Sequence, residues 1–401
     1  MTKRLVATAN KLDEEAIVDP LTLARLRSFL GASLLALGEP MKATELHTKA
    51  RAVFEKLLAP DEPEALACMA SLADSCRAVG KFDLALPLHE KTLALRRAKL
   101  GPDHDDTLAS KYYLAQAYHL AGRLDLALPL HEEKLKLTKA KFGSEHPDTL
   151  SSMNNLAYGY QAAGKLDLAV PLFEQTIQLS KAQVGSDDPT TLISMNNLAF
   201  CYCAVGKLEL GMALYEETLK LGKAKFGPNH LVTLITTDNL ANAYFAAQLP
   251  AKAVPLCIEY LAGVRPQFGP ADPRFGATLA NVGLALLKNK QYAPAEPILR
   301  ECLDIHEKKL PDAWNTFNTK AMLGASLLGQ KKYKDAEPLL KEGYEGMKAR
   351  EQTMPPPAKL QLTEALERLV QLYDATGNAA EAKRYRKELN ERNAAEKALK
   401  N

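Results

Sequence analysis

Residues 146–177 read HPDTLSSMNNLAYGYQAAGKLDLAVPLFEQTI, and the same pattern returns 42 residues earlier and 42 residues later. The glycine in the middle of this stretch belongs to a series of turn positions with a strict spacing of 42: Gly38, Gly80, Gly122, Gly164, Gly206, Gln248 and Lys290. The spacing then loosens, with Lys331 after 41 residues and Gly377 after 46. A fixed period of about 20–50 residues is typical of repeat proteins, so the sequence predicts nine stacked repeats.

Each repeat reads as two helices separated by the turn. Before the turn, Leu156, Ala157 and Tyr160 share one helical face, and the pattern recurs in neighbouring repeats. After the turn an alanine recurs, with Gly211 as the exception: Ala43, Ala85, Ala127, Ala169, Ala253, Ala295, Ala336 and Ala382. Small residues at this position let two antiparallel helices approach closely.

Two further rows concern the start of the second helix. We expect the aspartates three residues after the glycine to be its N-caps: Asp83, Asp125 and Asp167. We expect the recurring proline to lie near its first turn, where a missing N–H costs least: Pro87, Pro129, Pro171, Pro255, Pro297 and Pro338.

This order of leucine, small residue, tyrosine, turn glycine and alanine resembles the tetratricopeptide motif. The 42-residue step is similar to the kinesin-light-chain variety, whose repeats have longer linkers than the basic repeat of about 34 residues. The resemblance covers roughly residues 21–395. It implies an all-α fold, a right-handed superhelical solenoid of about nine antiparallel helix pairs. Similar arrays occur in bacterial serine/threonine kinases, which suggests a bacterial origin.

The expected organisation follows from the repeat boundaries. Residues 1–20 form an N-terminal lead-in, residues 21–357 contain repeats 1–8, and residues 358–401 contain the ninth repeat and a C-terminal capping helix. The basic segment from Lys383 to Lys400 is interspersed with glutamates. It suits a solvated cap, because the end of a solenoid must present a polar outer face.

Composition narrows the environment and the partners. The net charge of +3 gives no basic stripe for nucleic acid, and no apolar run approaches the roughly 20 residues that span a membrane. The N-terminus lacks the apolar stretch of a secretory signal. Six cysteines in 401 residues form no disulfide framework, so we expect reduced thiols and a cytoplasmic location.

The histidines do not predict a metal site. Three of them occupy one structural position, filled by Phe173 and Tyr215 in later repeats, and therefore replace an interior aromatic: His47, His89 and His131. Another three share a linker position that Asp188 and Asp272 fill elsewhere: His104, His146 and His230. Equivalent positions in adjacent repeats lie about 10 Å apart, whereas zinc ligands converge within about 2 Å of the ion. We therefore expect no metal and no cofactor.

Catalytic motifs are also missing from the sequence. It contains no Walker loop, dinucleotide glycine fingerprint, kinase catalytic loop or zinc-protease helix. The repeats account for nearly every residue, so little chain remains for a catalytic pocket. We expect the protein not to be an enzyme.

Partner binding is expected in the concave groove of repeats 3–6, which the first helices line. By the family resemblance, the groove positions are Tyr112, Gln116, His119, Asn154, Tyr158, Gln161, Asn196, Phe200, Asp238, Asn242 and Phe245. Asparagine side chains both donate and accept, so such a row can hold a peptide backbone. Rigid aromatic side chains beside the row would supply the binding energy. The alternative is that the asparagines only bond adjacent repeats and fix their stacking.

The predicted function is a protein–protein interaction scaffold that binds a partner segment. The alternative is a regulatory or sensor array of a bacterial serine/threonine kinase system, separated from its catalytic domain. Either function involves a protein or peptide partner rather than nucleic acid or a membrane. The sequence determines neither the partner nor the oligomeric state.

Overall fold

The computed structural model describes residues 2–11, 19–269 and 271–398, and these residues form α-helices and short 3₁₀ helices without a strand. The chain divides into two compact units, Met1–Val205 and Gly206–Asn401. The helices of the first unit are α1 (Thr2–Lys11), α2 (Pro20–Ala36), α3 (Pro40–Leu57), α4 (Pro63–Ala78), α5 (Phe82–Leu100), α6 (Asp105–Leu120), α7 (Leu124–Phe142), α8 (Pro147–Ala162), α9 (Leu166–Gln183) and α10 (Pro189–Ala204).

The second unit continues the alternation. Its helices are α11 (Leu208–Phe226), α12 (Leu231–Ala246), α13 (Pro250–Val264), α14 (Pro273–Lys288), α15 (Tyr292–Lys309), α16 (Trp314–Gly329), α17 (Tyr333–Ala349), α18 (Leu360–Thr376) and α19 (Ala379–Ala398). Short 3₁₀ helices lie at Arg265–Gln267, Glu351–Thr353 and Pro356–Lys359. Within each unit the described helices pack in successive pairs, α2 with α3 to α8 with α9 in the first unit and α12 with α13 to α18 with α19 in the second, and the prediction of an all-α repeat solenoid is confirmed.

The turn inside each pair explains the glycine series. Gly164 has a φ of +71°, and the N–H of Lys165 behind it donates to the carbonyl of Tyr160 at 2.9 Å. A left-handed residue of this kind ends a helix and satisfies its last carbonyls. The non-glycine members of the series adopt the same conformation, with φ of +58° at Gln248 and Lys290 and +62° at Lys331. The predicted register is therefore confirmed beyond the repeats that contain glycine.

The recurring small residues form the interior of the pairs. The alanine after the turn is fully buried at Ala43, Ala85, Ala127, Ala169, Ala253, Ala295 and Ala336, and almost fully at Ala382. The alanine before the turn is also buried, as at Ala157 and Ala199. The structure confirms that these positions are the close helix contacts of the fold.

The predicted N-caps of the second helices are wrong. Asp83, Asp125 and Asp167 are the second residues of α5, α7 and α9, and the caps are Lys81, Arg123 and Lys165, which make no side-chain capping bond. The prolines likewise lie inside the helices, since Pro87 is the sixth residue of α5. The backbone of the cap residue is still non-helical, with φ −86° and ψ 68° at Lys81, and the helix begins at the next residue without a side-chain cap.

Side-chain caps occur instead at the first helices, on the linker position that carries histidine or aspartate. The Nδ1 atom of His146 accepts from the N–H of Asp148 at 3.2 Å, and a carboxylate oxygen of Asp188 accepts from the N–H of Thr190 at 2.8 Å. His104, His230 and Asp272 cap their helices in the same way. This capping role accounts for the residues found at the position.

A row of tyrosine–glutamate hydrogen bonds joins the first helices α6, α8, α10 and α12 each to the second helix before it. The hydroxyl of Tyr160 on α8 donates to Glu132 on α7 at 2.9 Å. The same bond, always to a glutamate 28 residues earlier, is made by Tyr118 to Glu90, Tyr202 to Glu174 and Tyr244 to Glu216. These bonds hold adjacent helices in register. Burial and then the hydrogen bond to the Glu132 carboxylate raise the pKa of Tyr160 to about 12.

Candidate functional site

The residues predicted to bind a partner all lie on first helices. In the first unit, α6, α8 and α10 carry Tyr112, Gln116, His119, Asn154, Tyr158, Gln161, Asn196 and Phe200; in the second unit, α12 carries Asp238, Asn242 and Phe245. Their spacing of three or four residues places them on one side of each helix. We call the two sets the α6–α10 surface and the α12 surface.

Aromatic side chains give the α6–α10 surface its exposed apolar area. Tyr158 is 38% exposed and Phe200, at the equivalent position of the next repeat, is 46% exposed. The ring of Tyr158 stacks on His119, with centroids 5.0 Å apart and planes 3° from parallel. Lys134 of α7 lies over the ring of Tyr112 on α6, 5.0 Å from its centroid. These contacts hold the rings in place before any partner arrives.

The amide side chains of this surface are engaged between repeats. The Ser194 hydroxyl donates to Asn154 Oδ1 at 2.9 Å, and the Cys201 thiol donates to Gln161 Oε1 at 3.5 Å. Asn196 is only 7% exposed. These contacts support the stacking alternative for the asparagine row. The binding role of the row stays a prediction.

On the α12 surface, Asp238 and Phe245 have different surroundings. Asp238 is half-buried and accepts a long bond from Asn242 Nδ2 at 3.4 Å, and burial raises the pKa of its carboxyl. Phe245 is 7% exposed, so it packs inside the unit and offers little surface to a partner.

Asp238 lines a cavity of about 230 Å³ that the sequence did not predict. Its other lining residues are Leu231, Leu234, Ile235, Asn239, Tyr260, Val264, Gln267, Phe268 and Thr278. Burial and then the Asp238 charge raise the pKa of the Tyr260 hydroxyl. Part of the cavity lining comes from helix α13 and the segment that follows it. The family motif, which gives binding positions on first helices only, does not include these residues.

One signal for this cavity was present in the sequence. Leu231 stands where the two preceding repeats have Pro147 and Pro189, and it is 65% exposed. Ile235, one turn further along α12, is also exposed. With Asp238 they give an apolar strip ending in a carboxylate, because residues four and seven apart share a helical face.

The histidines in the interior position are buried, as predicted. His47, His89 and His131 are at most 2% exposed, and burial lowers the pKa of His131 to about 4. Among the described residues, no three His, Cys, Asp or Glu side chains form a group that could hold a metal ion. The six cysteines are free thiols, and burial raises the pKa of Cys201 to about 11. Within the same residues, no helix is both long and apolar enough to cross a membrane.

Comparisons with known proteins identify the repeats. A tetratricopeptide repeat model matches residues 22–98, 66–140, 106–182 and 190–263, more than half of the chain, and a second such model matches residues 276–312. The comparison with curated proteins gives no match.

Solved structures include similar repeats. Nearly identical TPR-like repeats of a kinesin light chain-like protein from Podosopora anserina are 30% identical with a TM-score of 0.47, and the alignment covers 52% of this chain and 100% of that chain. The apo form of the quorum sensor NprR from B. thuringiensis is 15% identical with a TM-score of 0.55, covering 86% and 97%. A STAND ATPase with a tetratricopeptide repeat sensor from Pyrococcus horikoshii is 14% identical with a TM-score of 0.54, covering 87% and 52%.

The last two likenesses show a shared fold. The matched repeat models show the family, in agreement with the 42-residue period and the helix pairs. This chain belongs to the tetratricopeptide repeat family, and its 42-residue period is the one that resembles the kinesin-light-chain variety.

Proposed function

We propose that the protein is an interaction scaffold whose first-helix surfaces each bind a segment of a partner protein. The observation that carries the proposal is the exposed, pre-arranged aromatic area of the α6–α10 surface, where Tyr158 is stacked on His119 and Phe200 lies one repeat further on. Rigid aromatic side chains lose little conformational entropy on binding and dominate the energy of many interfaces. Peptide binding is known for this fold, since NprR was solved in complex with its cognate peptide NprX.

In this proposal the aromatic residues are the anchors and the asparagine row supports them. Asn154 already accepts a bond from Ser194, so its first contribution is to hold α8 and α10 in register. A partner backbone would bond the remaining amide capacity, because a side-chain amide offers both donors and acceptors.

For the α12 surface we propose a cationic side chain of the partner as the occupant of the Asp238 cavity. The carboxylate lies among Ile235, Val264 and Phe268, where burial disfavours its charge. A lysine or arginine placed there would favour the ionised carboxylate and gain a charge-assisted hydrogen bond.

The decisive experiment compares the wild type with a Tyr158→Ala/Phe200→Ala variant in affinity purification with quantitative mass spectrometry. Both residues are exposed, so the fold should survive. The matched control is Leu84→Ala/Leu168→Ala, which removes two exposed apolar side chains from second helices of the same unit. Peptides tiling any captured protein are then titrated by fluorescence anisotropy. We expect the first variant to bind such a peptide at least about tenfold more weakly and the control to bind as the wild type does.

If the Tyr158→Ala/Phe200→Ala variant bound the peptide as tightly as the leucine control, the α6–α10 surface would not be the binding site. The Asp238 cavity is tested separately with Asp238→Asn, which should weaken only peptides that contain Lys or Arg. The kinase-array alternative predicts a kinase gene beside this reading frame, and an isolated frame would oppose it.

A further inference from the structure

A second and larger cavity of the second unit is lined mainly by second helices. It has a volume of about 500 Å³ and is formed by α11, α12 and α13 in the second unit. Its lining residues are Glu216, Leu219, Lys220, Lys223, Leu240, Tyr244, Lys252, Pro255 and Leu256. Seven of these nine residues come from the second helices α11 and α13.

The floor of this cavity is apolar. Leu219, Leu240 and Tyr244 are each less than a tenth exposed, and Pro255 and Leu256 add a wall from α13. The Tyr244 hydroxyl is bound to Glu216, so the ring presents its carbon face rather than an unpaired polar group. Cavities of about 300–1,000 Å³ with mainly apolar lining are typical of small-molecule sites.

The polar groups of the cavity are mostly cationic and lie on α11 and α13. Lys223 Nζ is 2.6 Å from Glu259, and Lys252 Nζ is 4.0 Å from Glu216. Lys220 is exposed on the same side of α11. Three lysines against these two glutamates leave one net positive charge beside the apolar floor.

Lys252 is the one of the three lysines that departs from the repeat pattern. At the position of Lys252 the four preceding repeats have leucine: Leu84, Leu126, Leu168 and Leu210. Lys252 lies over the Tyr244 ring, 5.1 Å from its centroid. Structural packing does not require a lysine here, because leucine fills the position in the other repeats.

We propose that this cavity, which we call the α11–α13 pocket, binds a small amphiphilic monoanion. The apolar body of the ligand lies on Leu219, Leu240 and Leu256, and its single anionic group lies beside Lys220 and Lys252. The charge of the ligand matches the net charge of the pocket. Binding here is independent of the α6–α10 and α12 surfaces, so failure of either proposal leaves the other standing.

The test uses 8-anilinonaphthalene-1-sulfonate, which combines an apolar aromatic body with one anionic group, and its neutral analogue N-phenyl-1-naphthylamine. Fluorescence titration of the wild type should give a saturable site for the sulfonate and a weaker one for the neutral analogue. Lys220→Glu should raise the Kd of the sulfonate about fivefold to tenfold and leave that of the neutral analogue unchanged. The control Lys225→Glu makes the same charge change on α11, outside the lining.

A second pair of variants tests the apolar part. Leu256→Trp fills the pocket and should abolish the saturable site, whereas Ile258→Trp places the same bulk on an exposed position of α13 and should leave it intact. Circular dichroism establishes that each variant is folded. Equal affinity for the two probes would overturn the anionic assignment, and retention of the site in a folded Leu256→Trp variant would overturn its location.

Discussion

His131→Phe should make the protein more resistant to acid. The His131 side chain is 2% exposed on α7, and its burial, reinforced by the nearby Lys134 and His119, lowers its pKa to about 4. Phenylalanine should fit, because Phe173 occupies this position in the next repeat. Gly159 provides additional room, since even an added Cβ there would remain 3.6 Å from the His131 ring.

The direction follows from proton linkage. The imidazole has a pKa of about 6.5 in the unfolded chain, so between that value and about 4 the unfolded chain binds a proton that the folded protein excludes. The free-energy cost of keeping the buried imidazole neutral is small at pH 7 and grows as the pH falls. For the two pKa values this cost is about 0.2 kcal/mol at pH 7 and about 2 kcal/mol at pH 5.

The measurement is urea unfolding of the wild type and His131→Phe at pH 7 and pH 5, followed by circular dichroism. Carboxylates titrate alike in both proteins, so their contribution cancels in the difference. The wild type should lose about 1.5–2 kcal/mol more than the variant on acidification. In the converse variant Phe173→His, the free energy of unfolding should fall more steeply on acidification than in the wild type. Equal losses in wild type and His131→Phe would refute the assignment of a buried, neutral imidazole.

Three further substitutions test the repeat contacts. Tyr160→Phe should lower the free energy of unfolding by about 1 kcal/mol through loss of the bond to Glu132, whereas the exposed Tyr158→Phe should change it little; comparable losses would contradict the role of the bond. Asp188→Ala should cost about 1 kcal/mol by removing the cap of α10, with Asp188→Asn retaining most of it, as thermal unfolding would measure. Gln248→Gly should raise the melting temperature, because glycine has no steric penalty at a φ of +58°, and a lower value would oppose that assignment.

The period predicted the helix pairs and turns because each repeat contains the same local information. Even at Gln248 and Lys290, where the glycine is replaced, the spacing alone located the left-handed residue. The error at Asp83 has a physical cause: an acidic residue is favourable both as an N-cap and anywhere in the first turn. Sequence composition at a helix start therefore predicts its position only to within a few residues.

The hydrogen bonds between Tyr160 and Glu132 could have been predicted, since both residues recur every 42 positions. In the four repeats that form these bonds, the tyrosine of the first helix and the glutamate of the preceding second helix are 28 residues apart, so the two rows could have been paired from the sequence. The Asn154 contact with Ser194 was less accessible. An amide row on a first helix can face the adjacent repeat or a ligand, and the side-chain orientation that distinguishes the two is not encoded in the spacing.

A repeat array places every structural contact at a recurring position, because each helix pair must meet the next one in the same way. Positions that depart from the pattern are then free of that requirement and can serve a ligand. Leu231 replaces a proline and lines the Asp238 cavity, and Lys252 replaces a leucine and lines the α11–α13 pocket. Both departures fall in the sixth repeat. We therefore expect substitutions there to alter binding more than stability, in contrast to the recurring positions of Tyr160 and Ala169.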